Sequence, residues 1–132
     1  MTEYTGKLLR VNLSTAQINT EAIKRGYIEK FIGGRGLGAK ILFDEVKAST
    51  DPLSSHNKLI VSTGPLVGTG IPTATRCVVN TKSPLTGIYL YSIASGDFGP
   101  AIRRSGVDVF VIEGQASKPT YISVDDGEVR IR

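Results

Sequence analysis

An α+β domain, with a β-rich mixed sheet and about three short helices, is the fold class that this sequence predicts. Three observations lead there. Most apolar runs are short and either alternate with polar residues or have a brief apolar centre, as strands do. Only three stretches switch to helical spacing. The strands also follow one another in hairpin-like groups instead of alternating with helices, which argues against a doubly wound parallel sheet. With 132 residues, no linker and no low-complexity segment, the chain reads as one domain spanning residues 1–132. A domain near this size buries roughly two-thirds of its unfolded surface.

The elements follow in order. Lys7 to Leu13 is a half-buried strand with Leu9, Val11 and Leu13 on one face. Ser14-Thr15-Ala16 turns it, and Gln17 to Glu21 returns as the second arm of a hairpin. Lys24 to Ile32 carries Tyr27, Ile28, Phe31 and Ile32 at helical spacing and stops at Gly33-Gly34. A second helix is predicted from Gly36 or Leu37 to about Val46, with Leu37, Ile41, Leu42 and Glu45 along one face; Asp51-Pro52-Leu53-Ser54 breaks the pattern. Lys58 to Thr63 has a continuous apolar centre and reads as a strand buried on both faces. Arg76 to Thr81 and Ile88 to Ser92 are strands joined by Ser83-Pro84-Leu85-Thr86-Gly87. Gly96 to Ser105 is a short helix with Phe98, Ala101 and Ile102 inward and Pro100 in its first turn, where the missing N–H costs nothing. Arg103 and Arg104 fall in its last turn, either as a solvated basic end or as ligand contacts. Val107 to Glu113 is a strand, and Thr120 to Val124 and Glu128 to Arg132 form a closing hairpin around Asp125-Asp126-Gly127.

Composition narrows the function. Hydrophobic content of 40% with 21% charged residues is that of a soluble globular chain. The net charge of +4 comes from scattered basic residues, without the concentrated basic face that nucleic-acid binding needs. No run is long enough to span a bilayer, and the polar start Thr2-Glu3-Tyr4-Thr5-Gly6 is not a signal peptide, which points to the cytoplasm and to no membrane partner. The single cysteine, Cys77, and the single histidine, His56, exclude an internal disulfide and a Cys/His zinc or iron–sulfur site within this segment. Cys77 reads as a small buried hydrophobe and His56 as a solvated loop residue.

The stretch with the most chemistry runs from Gly64 to Gly99. A first glycine-rich loop, Gly64 to Thr75, leads to Arg76; a second, Ser92 to Gly99, opens a helix. Glycine lets backbone N–H groups approach a ligand closely, and a guanidinium adds a planar fork of donors. Such a set suits a ligand carrying phosphate and flat polar edges. The other reading is that both loops are turns of a β-rich domain, with Arg76 on its surface. Neither loop ends in the Gly-Lys-Ser/Thr of a P-loop. Gly33-Gly34-Arg35-Gly36-Leu37-Gly38 follows a helix and has the wrong spacing for a dinucleotide fingerprint, so it reads as a helix–loop–helix corner, with Arg35 in a surface salt bridge or, as the alternative, reaching an anion.

Several segments together carry a resemblance. They are Gly6 to Thr15, Phe31 to Gly38, Asp51 to Ser54, Asn57 to Ile60, Gly64-Pro65-Leu66, Thr81 to Gly87, Arg103 to Asp108 and Val111 to Gly114. In this order they resemble the N-terminal domain of the aldehyde ferredoxin oxidoreductases, tungsten enzymes with a bis-pterin cofactor. The resemblance covers essentially the whole chain and implies a β-rich α+β base on which a tungstopterin, or a molybdopterin, lies. It implies a longer enzyme of which this chain is a truncated part or a small subunit. The 4Fe–4S cluster and the acid–base residues of catalysis would then lie in the remaining domains or a companion subunit. It further implies oxidation of aldehydes to carboxylic acids, ferredoxin as electron acceptor, and a homo-oligomer at full length. By position, Arg76 matches the family arginine between pterin and cluster. Ile93-Ala94-Ser95-Gly96 matches the loop at the pterin phosphates and a bridging magnesium. Cofactor contacts therefore fall on Arg76, Ile93, Ser95 and Gly96, with the Ile93 backbone carbonyl toward magnesium. Relatives tend to carry asparagine and an extra glycine where Ile93 and Ser95 stand, so a side-chain amide contact is lost here while the carbonyl remains. The alternative function is a stand-alone binder of an anionic ligand, or a structural subunit without catalysis.

Overall fold

The computed structural model describes residues 4–125 and 127–132; Thr2 and Glu3 of the polar start and Asp126 of the last turn lie outside the described residues. The strands are β1 (Lys7–Asn12), β2 (Gln17–Ala22), β3 (Lys58–Thr63), β4 (Cys77–Lys82), β5 (Tyr89–Ala94), β6 (Val109–Glu113), β7 (Ile122–Asp125) and β8 (Glu128–Ile131). The helices are α1 (Arg25–Phe31), α2 (Gly34–Glu45) and α3 (Phe98–Arg104). Six strands form one sheet in the order β2-β1-β6-β3-β4-β5, and β7-β8 is a separate two-stranded ribbon. Only β1 and β6 run parallel, in the register Leu8↔Val109; the other neighbours are antiparallel. The sheet is therefore mixed and β-rich, as the sequence predicts.

Strand alternation divides the core between the two faces of this sheet. Leu8, Ile60, Val109 and Val111 point to one side and pack on Ile23 and on Leu37, Ile41 and Leu42 of α2. Leu9, Val11, Val61 and Cys77 point to the other, where Ile102 of α3 and Ile122, Val129 and Ile131 of the β7-β8 ribbon cover them. Helix α2 lies so close on β4 that a Cβ at Gly38 would stand 2.1 Å from the Asn80 amide nitrogen. That buried amide is fully employed: it donates to Ile60 O at 3.3 Å and Ser62 Oγ at 3.1 Å, and its oxygen accepts from the Tyr89 hydroxyl at 2.7 Å. Strand β5 is the outer edge, and all six of its residues are exposed. Cys77 is buried, and burial pushes its thiol pKa up, which suits a packing residue.

Several boundaries and orientations differ from the sequence reading. Helix α2 starts at Gly34, because Gly33 rather than Gly36 is its N-cap. Glu45 leaves the apolar face for a charge network: Arg10 holds its carboxylate in two bonds of 2.9 and 3.0 Å and reaches Glu21 at 2.9 Å and Glu113 at 3.3 Å. Lys58 pairs with Glu113 and lies 3.3 Å from Glu45. In α3, Ile102 is buried as predicted, but Phe98 is 57% exposed and Ala101 is exposed. Arg103 takes the inward place instead, at 1% exposure, so it is not a solvated end; Arg104 is exposed.

The charge network sets an acid sensitivity. Burial works upward on the Glu45 and Glu113 carboxyls, but Arg10 and Lys58 outweigh it and hold both below the usual carboxylate range. The folded state then binds fewer protons than the unfolded chain in acid. The stabilisation is present above the ordinary glutamate value and is lost as pH falls through it to the lowered folded values. Urea midpoints taken from pH 7 to pH 3 are expected to fall in that window, and Glu113→Gln should flatten the fall by about 1 kcal/mol. An unchanged acid slope in the variant would contradict this role.

Candidate functional site

The β4-β5 register sets the site. Cys77 pairs with Ala94 at the end of the two strands, so Arg76 and Ser95 are the residues that flank the last pair of the ladder. Arg76 thus lies just before β4 and not within it, while Ser95 and Gly96 lie in the bend between β5 and α3. Ile93 is not in that bend. It sits on β5 opposite Val78, with its side chain 53% exposed. The predicted loop segment therefore begins as strand, because Ile93 and Ala94 still have partners on β4.

Three glycine-rich segments meet at this end of the sheet. A Cβ at Gly33 would lie 2.8 Å from Thr63 O and 3.2 Å from Gly64 Cα, so the start of α2 abuts the start of the first loop. A Cβ at Gly99 would lie 2.3 Å from Thr75 O, so the start of α3 rests on that loop's exit. Gly70 and Gly96, by contrast, have φ of +88° and +96° with open space where a Cβ would stand. Backbone conformation demands glycine there, and the bare backbone is left accessible. The first loop is held by its own bonds, from Val67 N–H to Gly64 O at 3.1 Å and from Gly68 N–H to Ala74 O at 3.2 Å.

Beneath the loop lies a feature that the sequence reading missed. Arg103 and Asp108 form an ion pair with both side chains 0% exposed. Arg103 Nε donates to Val67 O of the first loop at 3.3 Å, and its guanidinium sits 5.0 Å from the Tyr4 ring centre. The other oxygen of Asp108 accepts from Thr5 Oγ1 at 2.9 Å, Gly6 N–H at 2.6 Å and Lys7 N–H at 3.3 Å. The available signal was an aspartate inside the apolar run Val107-Asp108-Val109, because a carboxylate buried in such a strand requires a cationic partner.

Arg76 is exposed, and among the described residues no carboxylate lies within ion-pair distance of it. Asp97, at the N-cap of α3, is the one acidic residue of the second loop, and its side chain makes no cap bond. Arg35 does not form the predicted surface salt bridge; its guanidinium lies over the Tyr91 ring, 4.7 Å from the centre. His56 is an exposed loop residue, as read.

Comparison with known proteins decides the family. The model of the aldehyde ferredoxin oxidoreductase N-terminal domain matches residues 8–132. The chain belongs to the aldehyde ferredoxin oxidoreductase family. The tungsten-containing aldehyde ferredoxin oxidoreductase of Pyrococcus horikoshii is 44% identical over 129 residues, which is 98% of this chain and 21% of that protein. The corresponding protein of Pyrococcus furiosus is 44% identical over 127 residues, again 21% of its length. The aliphatic sulfonate oxidoreductase WOR-like subunit of P. furiosus is 34% identical over 135 residues, and the whole chain covers 21% of it. Among solved structures, the active site complex BamBC of benzoyl coenzyme A reductase, determined with 1,5-dienoyl-CoA, superposes with a TM-score of 0.95 and 32% identity over 98% of this chain and 20% of that one. The chain spans about a fifth of the length of the curated relatives it matches.

This aldehyde ferredoxin oxidoreductase N-terminal domain fits the organic part of a metal–pterin cofactor better than a bare metal ion. Among the described residues, no group of three or more His, Cys, Asp or Glu is placed to hold a metal. The donors at the site are a guanidinium and accessible glycine backbone. These match phosphate and flat polar edges. No helix among the described residues is long and apolar enough to cross a membrane.

Proposed function

We propose that this domain is the base of a tungsten- or molybdenum-pterin oxidoreductase, with the cofactor seated over Arg76, Ile93, Ser95 and Gly96. The observation that carries the reading is the meeting of both glycine loops at the end of β4 and β5, beside an exposed arginine with no carboxylate partner among the described residues. When bound, the cofactor would supply two-electron chemistry by which an aldehyde and water become a carboxylic acid and two protons, with the two electrons leaving through a 4Fe–4S cluster in the remaining domains or a companion subunit to ferredoxin. Arg76 binds and orients: its planar fork can grip a pterin edge or a phosphate oxygen in two parallel bonds. Ser95 offers a backbone N–H and a hydroxyl, Gly96 lets the chain turn without a side chain, and the Ile93 backbone carbonyl would be the ligand to a magnesium ion.

Relatives named as tungsten-containing aldehyde ferredoxin oxidoreductases support this reading. The test is tungsten, molybdenum and pterin content of the protein purified from its host, by elemental analysis and by fluorescence of the oxidised pterin. Near-stoichiometric metal with pterin is expected. Protein without either, purified from cells whose other pterin enzymes are loaded, would favour a structural subunit. Retention of another phosphate-bearing ligand would favour the stand-alone binder.

A further inference from the structure

We propose that Arg35, held over the Tyr91 ring, is a second guanidinium of this cofactor site and takes a phosphoryl group of the anionic cofactor; the inference rests on the reading of the site given above. The starting point is how much structure is spent on holding one exposed side chain. Buried Asn80 accepts the Tyr89 hydroxyl at 2.7 Å. The Tyr89 ring stacks on Tyr91, with centres 6.2 Å apart and planes 25° from parallel. The Arg35 guanidinium then caps Tyr91 at 4.7 Å. This is a ladder from the core to the surface, and it fixes a side chain that would otherwise be among the most mobile on the molecule.

The ladder leaves the guanidinium free for a ligand. Its guanidinium carbon lies over the Tyr91 ring, and among the described residues no carboxylate lies within ion-pair distance. The edge N–H groups remain, and two of them match the oxygens of a phosphoryl group. A surface arginine serving only solubility needs no aromatic support.

Position ties Arg35 to the site. Tyr91 and Ile93 share one face of β5, two residues apart. Ile93 pairs with Val78, and a Cβ at Gly34, the neighbour of Arg35, would stand 3.7 Å from a Val78 methyl. Val78 is the second residue of β4, and Arg76 immediately precedes that strand. Arg35, Tyr91, Ile93 and Val78 therefore form one strip leading toward the end of the sheet where the glycine loops meet and where Arg76 immediately precedes β4. A guanidinium beside the strip and another at its end suit a ligand with more than one anionic group.

The experiment compares variants of the intact protein purified from its host, reading metal and pterin content together with thermal midpoint. Arg35→Gln is expected to lower cofactor occupancy about tenfold, the size of one charge-assisted double hydrogen bond. Arg35→Lys, which keeps charge but loses fork and stacking, should fall in between. Tyr91→Phe keeps the platform and should retain occupancy, whereas Tyr91→Ala should lose part of it. Midpoints of the Arg35 variants should stay within about 4 °C of the parent, as for surface changes. Full occupancy in Arg35→Gln alongside loss in Arg76→Ala would overturn the assignment of Arg35 and leave the site itself standing. Full occupancy in both would overturn the site, and this inference with it. An occupancy loss in Arg35→Gln that tracks a fall in thermal midpoint would also overturn it, since Arg35 would then act on the fold.

Discussion

An Asp108→Ala variant is expected to lose about 3–5 kcal/mol of stability, the cost of breaking a buried ion pair from one side. Asp108 meets Arg103 where neither side chain reaches solvent. Removing the carboxylate takes a counter-charge away from a buried guanidinium. It also takes the acceptor from Thr5 Oγ1 and from the Gly6 and Lys7 N–H groups. Small domains have only about 5–15 kcal/mol in total, so this single change should bring the fold close to its limit. Urea denaturation with both midpoint and slope measured is the direct check. Arg103→Met combined with Asp108→Ala should recover part of the loss, because the two buried charges of the pair are then removed together. A single-variant loss under about 1 kcal/mol would mean that the pair is open to water and does not anchor the first loop.

Arg76→Ala is expected to reduce metal and pterin content at least about tenfold while leaving the thermal midpoint nearly unchanged. The two readouts separate because the side chain is exposed and, among the described residues, no ion pair depends on it. Arg76→Lys retains a charge but not the planar fork, and should restore only part of the occupancy. Unaltered cofactor content in Arg76→Ala would remove the central residue of the proposed site.

The elements whose energetics are local were legible in the sequence. The alternation of Leu9 and Val11 marked β1, and the short apolar centre of Lys58–Thr63 marked β3. Cys77 was readable as a core residue from its apolar neighbours. Arg103 was not, since its last-turn position favours the helix dipole whether the side chain faces water or core. What turned it inward is Asp108, which reaches it only after the chain has doubled back into β6. Phe98 was misplaced for a related reason: helical spacing gives the relative positions on a face, but packing against Thr75 at Gly99 fixes which face points in. At the site, the two loops and Arg76 could be named from residue types. Their convergence, and the addition of Arg35 through Tyr91, depend on pairings between distant strands that no local pattern encodes.

The strand order also sets a sequence of assembly. The β1-β2 hairpin and the β3-β4-β5 meander can each form from neighbouring residues, but they do not touch in the sheet. Strand β6 joins them, pairing with β1 across about a hundred residues of chain and with β3 on its other side. On a ribosome the two halves must wait until residues 109–113 emerge, and the closing step bears the entropy of a long loop. That same step delivers Asp108 to Arg103, so insertion of one central strand both completes the sheet and locks the first glycine loop in place. Pulse-labelling hydrogen exchange should find the amides of β1 and β6 gaining protection together and last, after the meander is already closed.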